Sequence, residues 1–481
     1  MMHPHSLARA LAGCGVIFVS ALAVAEPPFS AFFEDISSYP GAPVSPTIYA
    51  ISPDGTVVVG SGFFDANTGE GYLQAVMWSR NREMIHLGDL KGGRKWGSAT
   101  AVSNEGRVIV GTSEAGFEED PPPQGQPAVW TEAFRWTQEE GMTGLGNLAT
   151  TDRYSEATGI SADGLVIAGN TNHDGLPSRV GFRWTQQDGM TPIILAAFPM
   201  KRSYALGISA DGLTIAGEHE TRAMVGFRWA HGSFEPVGEP LEEGFTPILG
   251  RAASADGGIL VGKGGPSPTA RTTEAFHWSG ANGYVGLGGL TEISPEKSEA
   301  RAVSADGSVV VGQTPLGAFI WTARDGLNDL KELLLSRHGL DLGTAWKLDY
   351  ATGISADGRT LVGYGQKGAE RDTQRFGWIL RMPLTSGATF RRAGDVNQDA
   401  QLNISDVIWF LNGLFVSSDT ELPCDTTEGR RTFLDINQDN RVDIADPISL
   451  AIFLFVGGPP PLRGAVCAVV GGCEGGPGCK P

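Results

Sequence analysis

The 481-residue chain carries 54 acidic against 36 basic side chains, a formal net charge of -18. That balance excludes a nucleic-acid binder, because a chain that neutralises phosphates needs a basic face. The length allows roughly two to four domains, and 67 glycines with only 19% charged residues fit a turn-rich all-β protein better than a helical one.

In chain order, Arg9 stands in a short polar start and is followed by an apolar run from Gly13 to Ala25, with Ala23-Val24-Ala25 before Glu26. This is the pattern of a secretory signal peptide over residues 1–25. The mature protein is expected to be exported, either secreted or held at the cell surface. Leu11-Ala12-Gly13-Cys14 offers a minor alternative, a bacterial lipobox acylated at Cys14, although most of the apolar run follows the Cys. No other segment supplies the ~18 apolar residues of a spanning helix, so no transmembrane anchor is expected apart from the signal.

Residues 26–383 are organised by one repeated stretch. Ile51-Ser52-Pro53-Asp54-Gly55 returns as Val102-Ser103-Asn104-Glu105-Gly106, Ile160-Ser161-Ala162-Asp163-Gly164 and Ile208-Ser209-Ala210-Asp211-Gly212. Three further copies start at Ala253, Val303 and Ile354, seven in all, each with a second Gly five residues after the first. The chemistry is that of a strand, a tight turn and a second strand. Ser accepts a backbone hydrogen bond, Asp tolerates the bridge region, and Gly takes the left-handed position that closes a three-residue hairpin loop. Downstream of each hairpin comes an aromatic strand such as Ala133-Phe134-Arg135-Trp136, Gly181-Phe182-Arg183-Trp184 or Phe376-Gly377-Trp378, then a Gly-rich apolar strand such as Gly141-Met142-Thr143-Gly144. Four short strands per repeat make one propeller blade, and seven repeats predict an all-β seven-bladed β-propeller. The last repeat lacks its own fourth strand, so the segment from Phe33 to Gly41 is expected to complete that blade and remove the free edges. A short helix is expected within Leu327 to Gly343, where leucines have partly helical spacing. Loops between the second Gly and the aromatic strand vary most, including Glu118-Glu119-Asp120-Pro121-Pro122-Pro123. Variable loops on a rigid scaffold are where binding tends to sit.

These residues carry a resemblance. The succession of Gly-Met/Leu strands, Ile-Ser-Ala-Asp-Gly turns, Val-Val-Gly strands and Ala-Phe-Arg-Trp strands over about residues 30 to 383 resembles the HAF family of extracellular repeat proteins. The resemblance implies an exported repeat protein without an established activity. The turns are also similar to the Asp-box of sialidase propellers but lack its following aromatic residue.

After a linker at 384–392 the composition changes. Residues 393–456 hold two oxygen-rich loops, Asp395, Asn397, Asp399, Gln401, Asn403 and Asp406, then Asp435, Asn437, Asp439, Arg441, Asp443 and Asp446. These are positions 1, 3, 5, 7, 9 and 12 of a calcium loop, with Gln401 and Arg441 offering backbone carbonyls; a hard cation wanting six to eight oxygens is served by this spacing. Two Ca2+ sites are therefore expected. Helices are expected from Val407 to about Leu414 and from Ile448 to about Phe455, with Val407, Phe410, Leu411 and Leu414 facing Ile448, Ile452 and Phe455. Paired loop-then-helix units resemble type I dockerin modules, a small α-helical calcium-binding domain. That resemblance implies docking onto a cohesin-like or cell-surface partner, often in the service of polysaccharide breakdown. The chain departs from the pattern at loop position 6, which is Ala400 and Asn440 in place of Gly, and at positions 10 and 11, Ile404-Ser405 and Ile444-Ala445. Cys424, Cys467, Cys473 and Cys479, the last three in a Gly/Pro/Cys-rich tail at 457–481, allow two disulfides in an exported chain, with three pairings open.

No catalytic constellation emerges from the sequence. His219-Glu220 lacks the second His of a zincin, and Gly159-Ile160-Ser161-Ala162-Asp163 is not a nucleophile elbow. The strand tryptophans read as blade packing, and Trp96, Trp130 and Trp346, outside the repeat, as binding candidates. The expectation is an exported, non-enzymatic binding or scaffold protein, with polysaccharide as one candidate ligand. The alternative is a propeller hydrolase, or an accessory protein, acting in polysaccharide catabolism; an acid, a base and a cation converging on one face would favour it.

Overall fold

The computed structural model describes residues 31–64, 71–116, 129–175, 179–194, 201–220, 224–230, 232–237, 246–265, 273–290, 297–368, 374–382, 389–392, 396, 403–415, 434–437, 441–456 and 467–470. The signal-peptide residues, Cys14, Cys424, Cys473 and Cys479 lie outside them.

Seven four-stranded antiparallel sheets form the propeller. Blade 3 shows the plan, with strands Ser155–Ile160, Val166–Thr171, Val180–Thr185 and Gly189–Ile193 in sequential order. The turn between its first two strands works through its side chains. The Ser161 hydroxyl accepts the Val166 N–H at 3.0 Å and donates to Asp163 at 2.5 Å, while Asp163 accepts the Leu165 N–H at 2.9 Å. Ser161 N–H also reaches the Val166 carbonyl, so the loop holds four residues, one more than the sequence suggested. Gly164 sits at φ 78°, and a Cβ there would lie 2.7 Å from Val108 of the preceding blade.

In all seven sheets the first strand bulges, around Tyr49, Thr100, Thr158, Leu206, Arg251, Arg301 and Thr352. The bulge explains the second glycine of the repeat, since a Cβ on Gly169 would lie 2.0 Å from the Glu156 carbonyl oxygen. Only a residue without a side chain lets the bulged strand approach so closely. The first strands line a central cavity of about 290 Å3. At its turn end a belt of backbone hydrogen bonds joins the blades, from Asn104 to Ala162, Ala162 to Ala210, Asp211 to Ala255, Ala255 to Ala305, Ala305 to Ala356 and Ala356 to Pro53. The belt opens between Pro53 and Asn104, where proline has no N–H to donate.

Blade 7 takes Trp346–Ile354, Thr360–Lys367 and Phe376–Arg381 from the end of the propeller and Phe32–Asp35 from its start. The expected closure is therefore present, although only the first part of the Phe33–Gly41 segment is strand; Ile36–Ser38 is a 3-10 turn. Asp35 pairs with Trp378 and Glu34 with Ile379. Ile36 and Tyr39 are buried, the Glu34 carboxylate accepts from Tyr39 Oη and Arg381, and Lys367 reaches Asp35 at 2.6 Å. One register differs from the reading of the sequence. Gly363 opposes Trp378 whereas Gly169 opposes Phe182, so Trp378 fills the buried position that a phenylalanine takes in blades 2 to 6 and Val76 in blade 1.

The helix expected before blade 7 is α1, Leu330–His338, capped by Asp329 accepting the Glu332 N–H at 2.9 Å and ended by Gly339 at φ 64°. Leu330, Leu333 and Leu334 pack into a core with Trp346, Leu348 and Trp378.

Two helices follow the propeller, α2 (Ile404–Phe415) and α3 (Ala445–Val456). They begin earlier than the sequence suggested and use a different face of α3. Val407, Phe410 and Leu450 are buried together with Val396, Leu434 and Ile436, and Leu411, Leu414, Phe453 and Leu454 pack against them. Ile448, Ile452 and Phe455 are exposed. The duplicated units thus use matching positions, Phe410 with Leu450 and Leu414 with Leu454. Thr389–Arg392, within the expected linker, pairs antiparallel with Cys467–Val470, within the tail, and brings together the two chain segments that flank the helix pair. No helix among the described residues is long and apolar enough to cross a membrane.

Candidate functional site

Antiparallel blades separate two faces. One carries the near-identical Ser-x-Asp-Gly turns. The other carries the connections from second to third strand and from blade to blade, which differ from one repeat to the next. The former connections run from three residues, at 221–223, to twelve at 117–128; both segments, the second with Glu118 to Pro123, lie outside the described residues.

On the loop face, blades 2, 3 and 4 enclose a pocket of about 560 Å3 lined by Trp130, Asp152, Arg153, Tyr154, Asn172, Arg179, Arg202 and Tyr204 among others. The Arg179 guanidinium lies 3.6 Å above the Tyr154 ring, and that of Arg153 lies 4.8 Å from the Trp130 ring. The Trp130 indole donates to Glu132 and the Tyr154 hydroxyl to Glu156, both at 2.7 Å. Burial, then the bond to Glu156, push the Tyr154 hydroxyl well above its ordinary pKa. A second loop-face pocket, of about 610 Å3, lies at blades 6 and 7 and includes Lys297, Lys347, Asp349, Tyr350 and Arg375.

Beside the central cavity a charged cluster gathers from blades 4, 5 and 6. Glu299 is 7% exposed and lies 2.6 Å from Arg251, 3.7 Å from Lys263 and 3.9 Å from Arg301. Although burial works against it, Arg251, Arg301 and Lys263 hold the Glu299 carboxyl below its ordinary value. Glu218 goes the other way. Burial, with the charge of Glu299 added, outweighs Arg251 and Lys263 and pushes it up to about 7. The folded protein therefore binds a proton at Glu218 that the unfolded chain releases near pH 4.5, and stability falls as pH rises from there through about 7. Glu218→Gln is expected to match the wild type at pH 5 and to exceed it by about 1–3 kcal/mol at pH 8. Thermal melts at the two pH values check this; equal melting of both proteins at pH 8 would count against it.

Of the tryptophans singled out from the sequence, Trp130 lines the first pocket, Trp96 is 36% exposed outside it, and Trp346 is buried against Phe33 with ring centroids 5.2 Å apart. Trp346 is therefore a packing residue. The strand tryptophans are buried or half-buried in the blade cores, as expected. The charged cluster was missed, yet it left a signal. The residue after the second glycine is Asn170, Glu218, Lys263 or Gln313 in successive blades, a polar position of changing identity inside an otherwise uniform apolar strand.

The calcium-loop residues fall into two groups. Asp395, Asn397, Asp399, Gln401 and Asp439 lie outside the described residues, as do Ala400 and Asn440. Of the rest, Asp406 and Asp446 are fully buried and Asp435 is 5% exposed. Asp446 accepts the N–H groups of Ile436 at 2.7 Å, Asn437 at 3.2 Å and Asp443 at 2.8 Å, while Asp443 accepts from Ala445 at 2.8 Å. In the first loop Asp406 accepts the Asn403 N–H at 2.9 Å and Asn403 accepts that of Ser405 at 2.7 Å. The described ends of the two loops match, with Asp406 and Asp446 each accepting the N–H three residues before it at the start of its helix. Among the described residues no three acidic, His or Cys side chains converge on one metal position. The buried carboxylates of Asp435 and Asp446 in one loop are nevertheless costly without a nearby cation, and carboxylate oxygens suit a hard divalent ion.

No protein-family model matches the chain, and no curated protein matches it. Among solved structures it is similar to the β-propeller domain of the Trilobed protease from Pyrococcus furiosus, at 13% identity and TM-score 0.43 over 69% of this chain and 95% of that one. It is also similar to the Dos1 propeller, at 9% identity and TM-score 0.39 over 73% and 95%. A match to TolB from Acinetobacter baumannii, at 14% identity and TM-score 0.30, covers 58% of this chain and about half, 51%, of TolB. The propeller assignment rests on the seven sheets themselves.

Proposed function

We propose that the chain is an exported, non-enzymatic binding protein of the HAF type, whose propeller holds a ligand on its loop face and whose calcium-stabilised, dockerin-like helix pair attaches it to a cohesin-like or cell-surface partner. The observation that carries this reading is the division of the propeller into a uniform face and a varied one. Seven nearly identical turns build the first, while Trp130, Tyr154, Tyr204, three arginines and the 2.6 Å Arg251–Glu299 pair belong to the second or to its centre. Calcium would be held by Asp395, Asn397, Asp399, Asn403, Asp406 and the Gln401 carbonyl, and by Asp435, Asn437, Asp439, Asp443, Asp446 and the Arg441 carbonyl. The ion would supply the positive charge that lets Asp406, Asp435 and Asp446 be buried.

One observation favours the hydrolase reading. Glu218 and Glu299 have carboxyls pushed apart in pKa beside three cations, and such pairs are where an acid and a base can be assigned. Incubating the full chain, in calcium, with a panel of insoluble polysaccharides separates the two. Depletion of protein without released sugar is the expected result. Sugar release that disappears in Glu218→Gln would replace the binding reading with the enzymatic one.

A further inference from the structure

We propose that the pocket between blades 2, 3 and 4 is a binding site for an anionic saccharide chain, whose carboxylate or sulfate groups are taken by Arg153, Arg179 and Arg202. The inference rests on the loop-face binding role and gives that role a ligand class.

Charge is the first argument. In a chain of net charge -18 the lining holds three arginines and one carboxylate, Asp152. Glu132, Glu156 and Glu220 bond to Trp130, Tyr154 and Arg202 but are not part of the lining, so cations border the cavity more than acids do. Cations bordering a concave site draw in anionic groups. Geometry is the second. Arg179 stacks at 3.6 Å on Tyr154, and Tyr154 is itself tied to Glu156, which also accepts from Asn170 at 3.0 Å. Stacking engages the face of a guanidinium and leaves its N–H edge in the plane, the edge that meets a carboxylate or sulfate in two parallel bonds. Holding Arg179 this way reduces the ordering cost of binding.

The layout points to a polymer. Trp130 comes from blade 2, Arg153, Tyr154 and Arg179 from blade 3, and Arg202 and Tyr204 from blade 4, so cations and rings are spread across neighbouring blades. Repeating charge along a sugar chain matches repeating cations, and aromatic rings between them suit the apolar faces of pyranose rings. Arg202 also stands 3.6 Å from Glu220, an exposed pair of small energetic weight.

The test measures affinity of the full chain in calcium for polygalacturonate, dextran sulfate, uncharged dextran and poly-glutamate. Polygalacturonate and dextran sulfate distinguish carboxylate from sulfate as the source of charge. Binding to at least one is expected, weakening as salt is raised, with dextran and poly-glutamate at least 10-fold weaker. Arg179→Ala is expected to lose about 10-fold with an unchanged melting temperature, and Arg202→Gln, at an exposed position, serves if the first variant is destabilised. Unchanged affinity in the folded variants, equal binding of dextran, preference for poly-glutamate, or no binding to either anionic saccharide would each overturn the proposal. Capture by an insoluble neutral polysaccharide in the depletion assay would leave the broader binding role standing in all of these cases.

Discussion

Removing residues 26 to 41 lowers the melting temperature of the whole propeller by about 10 °C or more. The strand Phe32–Asp35 supplies the outer edge of blade 7, and with it go the buried side chains of Ile36 and Tyr39. Each such side chain contributes about 1.5–3 kcal/mol. The loss of Glu34 is heavier. Its carboxylate is 6% exposed and faces Arg381 at 12%, and stripping one partner from a buried pair costs about 3–5 kcal/mol. The sum approaches the 5–15 kcal/mol that holds an ordinary domain together. Because the belt of interblade hydrogen bonds already has a gap between blades 1 and 2, the truncated protein has a weakened blade 7 and a weak seam on the far side of the neighbouring blade 1. Calorimetry of the truncated chain checks this, and an unshifted transition would show that the closing strand is dispensable.

If the two loops hold calcium as proposed, chelating it is expected to unfold the helix pair while leaving the propeller intact. Helices α2 and α3 have 12 residues each, a length at which an isolated helix is marginal in water. Their shared core has six fully packed apolar side chains, and it sits over the buried carboxylates Asp406, Asp435 and Asp446. Without a cation those charges oppose folding; with one they help hold the module closed. Helical circular dichroism is expected to fall on adding chelator and to return with calcium, without change in the propeller's melting transition. The two proposed sites are expected to differ in strength. At loop position 6 a left-handed backbone costs a non-Gly residue ~1–2 kcal/mol, and Asn440 tolerates it better than Ala400. Asp439→Ala is therefore expected to remove the tighter site, and a larger loss from Asp399→Ala would reverse the order.

The parts of this molecule that were legible in the sequence are those fixed by local chemistry. Ser161, Asp163 and Gly164 make their turn with one another, so seven copies could be counted, and a count one strand short pointed to the N-terminal segment. Where two local solutions were equally good, the reading failed. Gly377-Trp378 looks like the end of an aromatic strand, yet cross-strand pairing places Trp378 opposite Gly363. Helix α3 has apolar residues on both sides, and periodicity alone did not choose Leu450 and Leu454 over Ile448 and Ile452. Trp346 fell outside the repeat for a structural reason, the packing of α1 and the closing strand. The loop-face pocket was hidden more deeply, because Trp130, Tyr154, Arg179 and Tyr204 are distant in sequence and meet only when blades 2, 3 and 4 stand side by side.

Amide hydrogen exchange on the full chain, with and without the polysaccharide that captures it, tests most directly the claim that ligand chemistry is confined to one face. Slower exchange is predicted in the loop-face segments 129–131, 152–154 and 202–204, with the Ser-x-Asp-Gly turns at 161–164 and 209–212 unchanged. Protection of the turns, or protection restricted to residues after 389, would contradict the account.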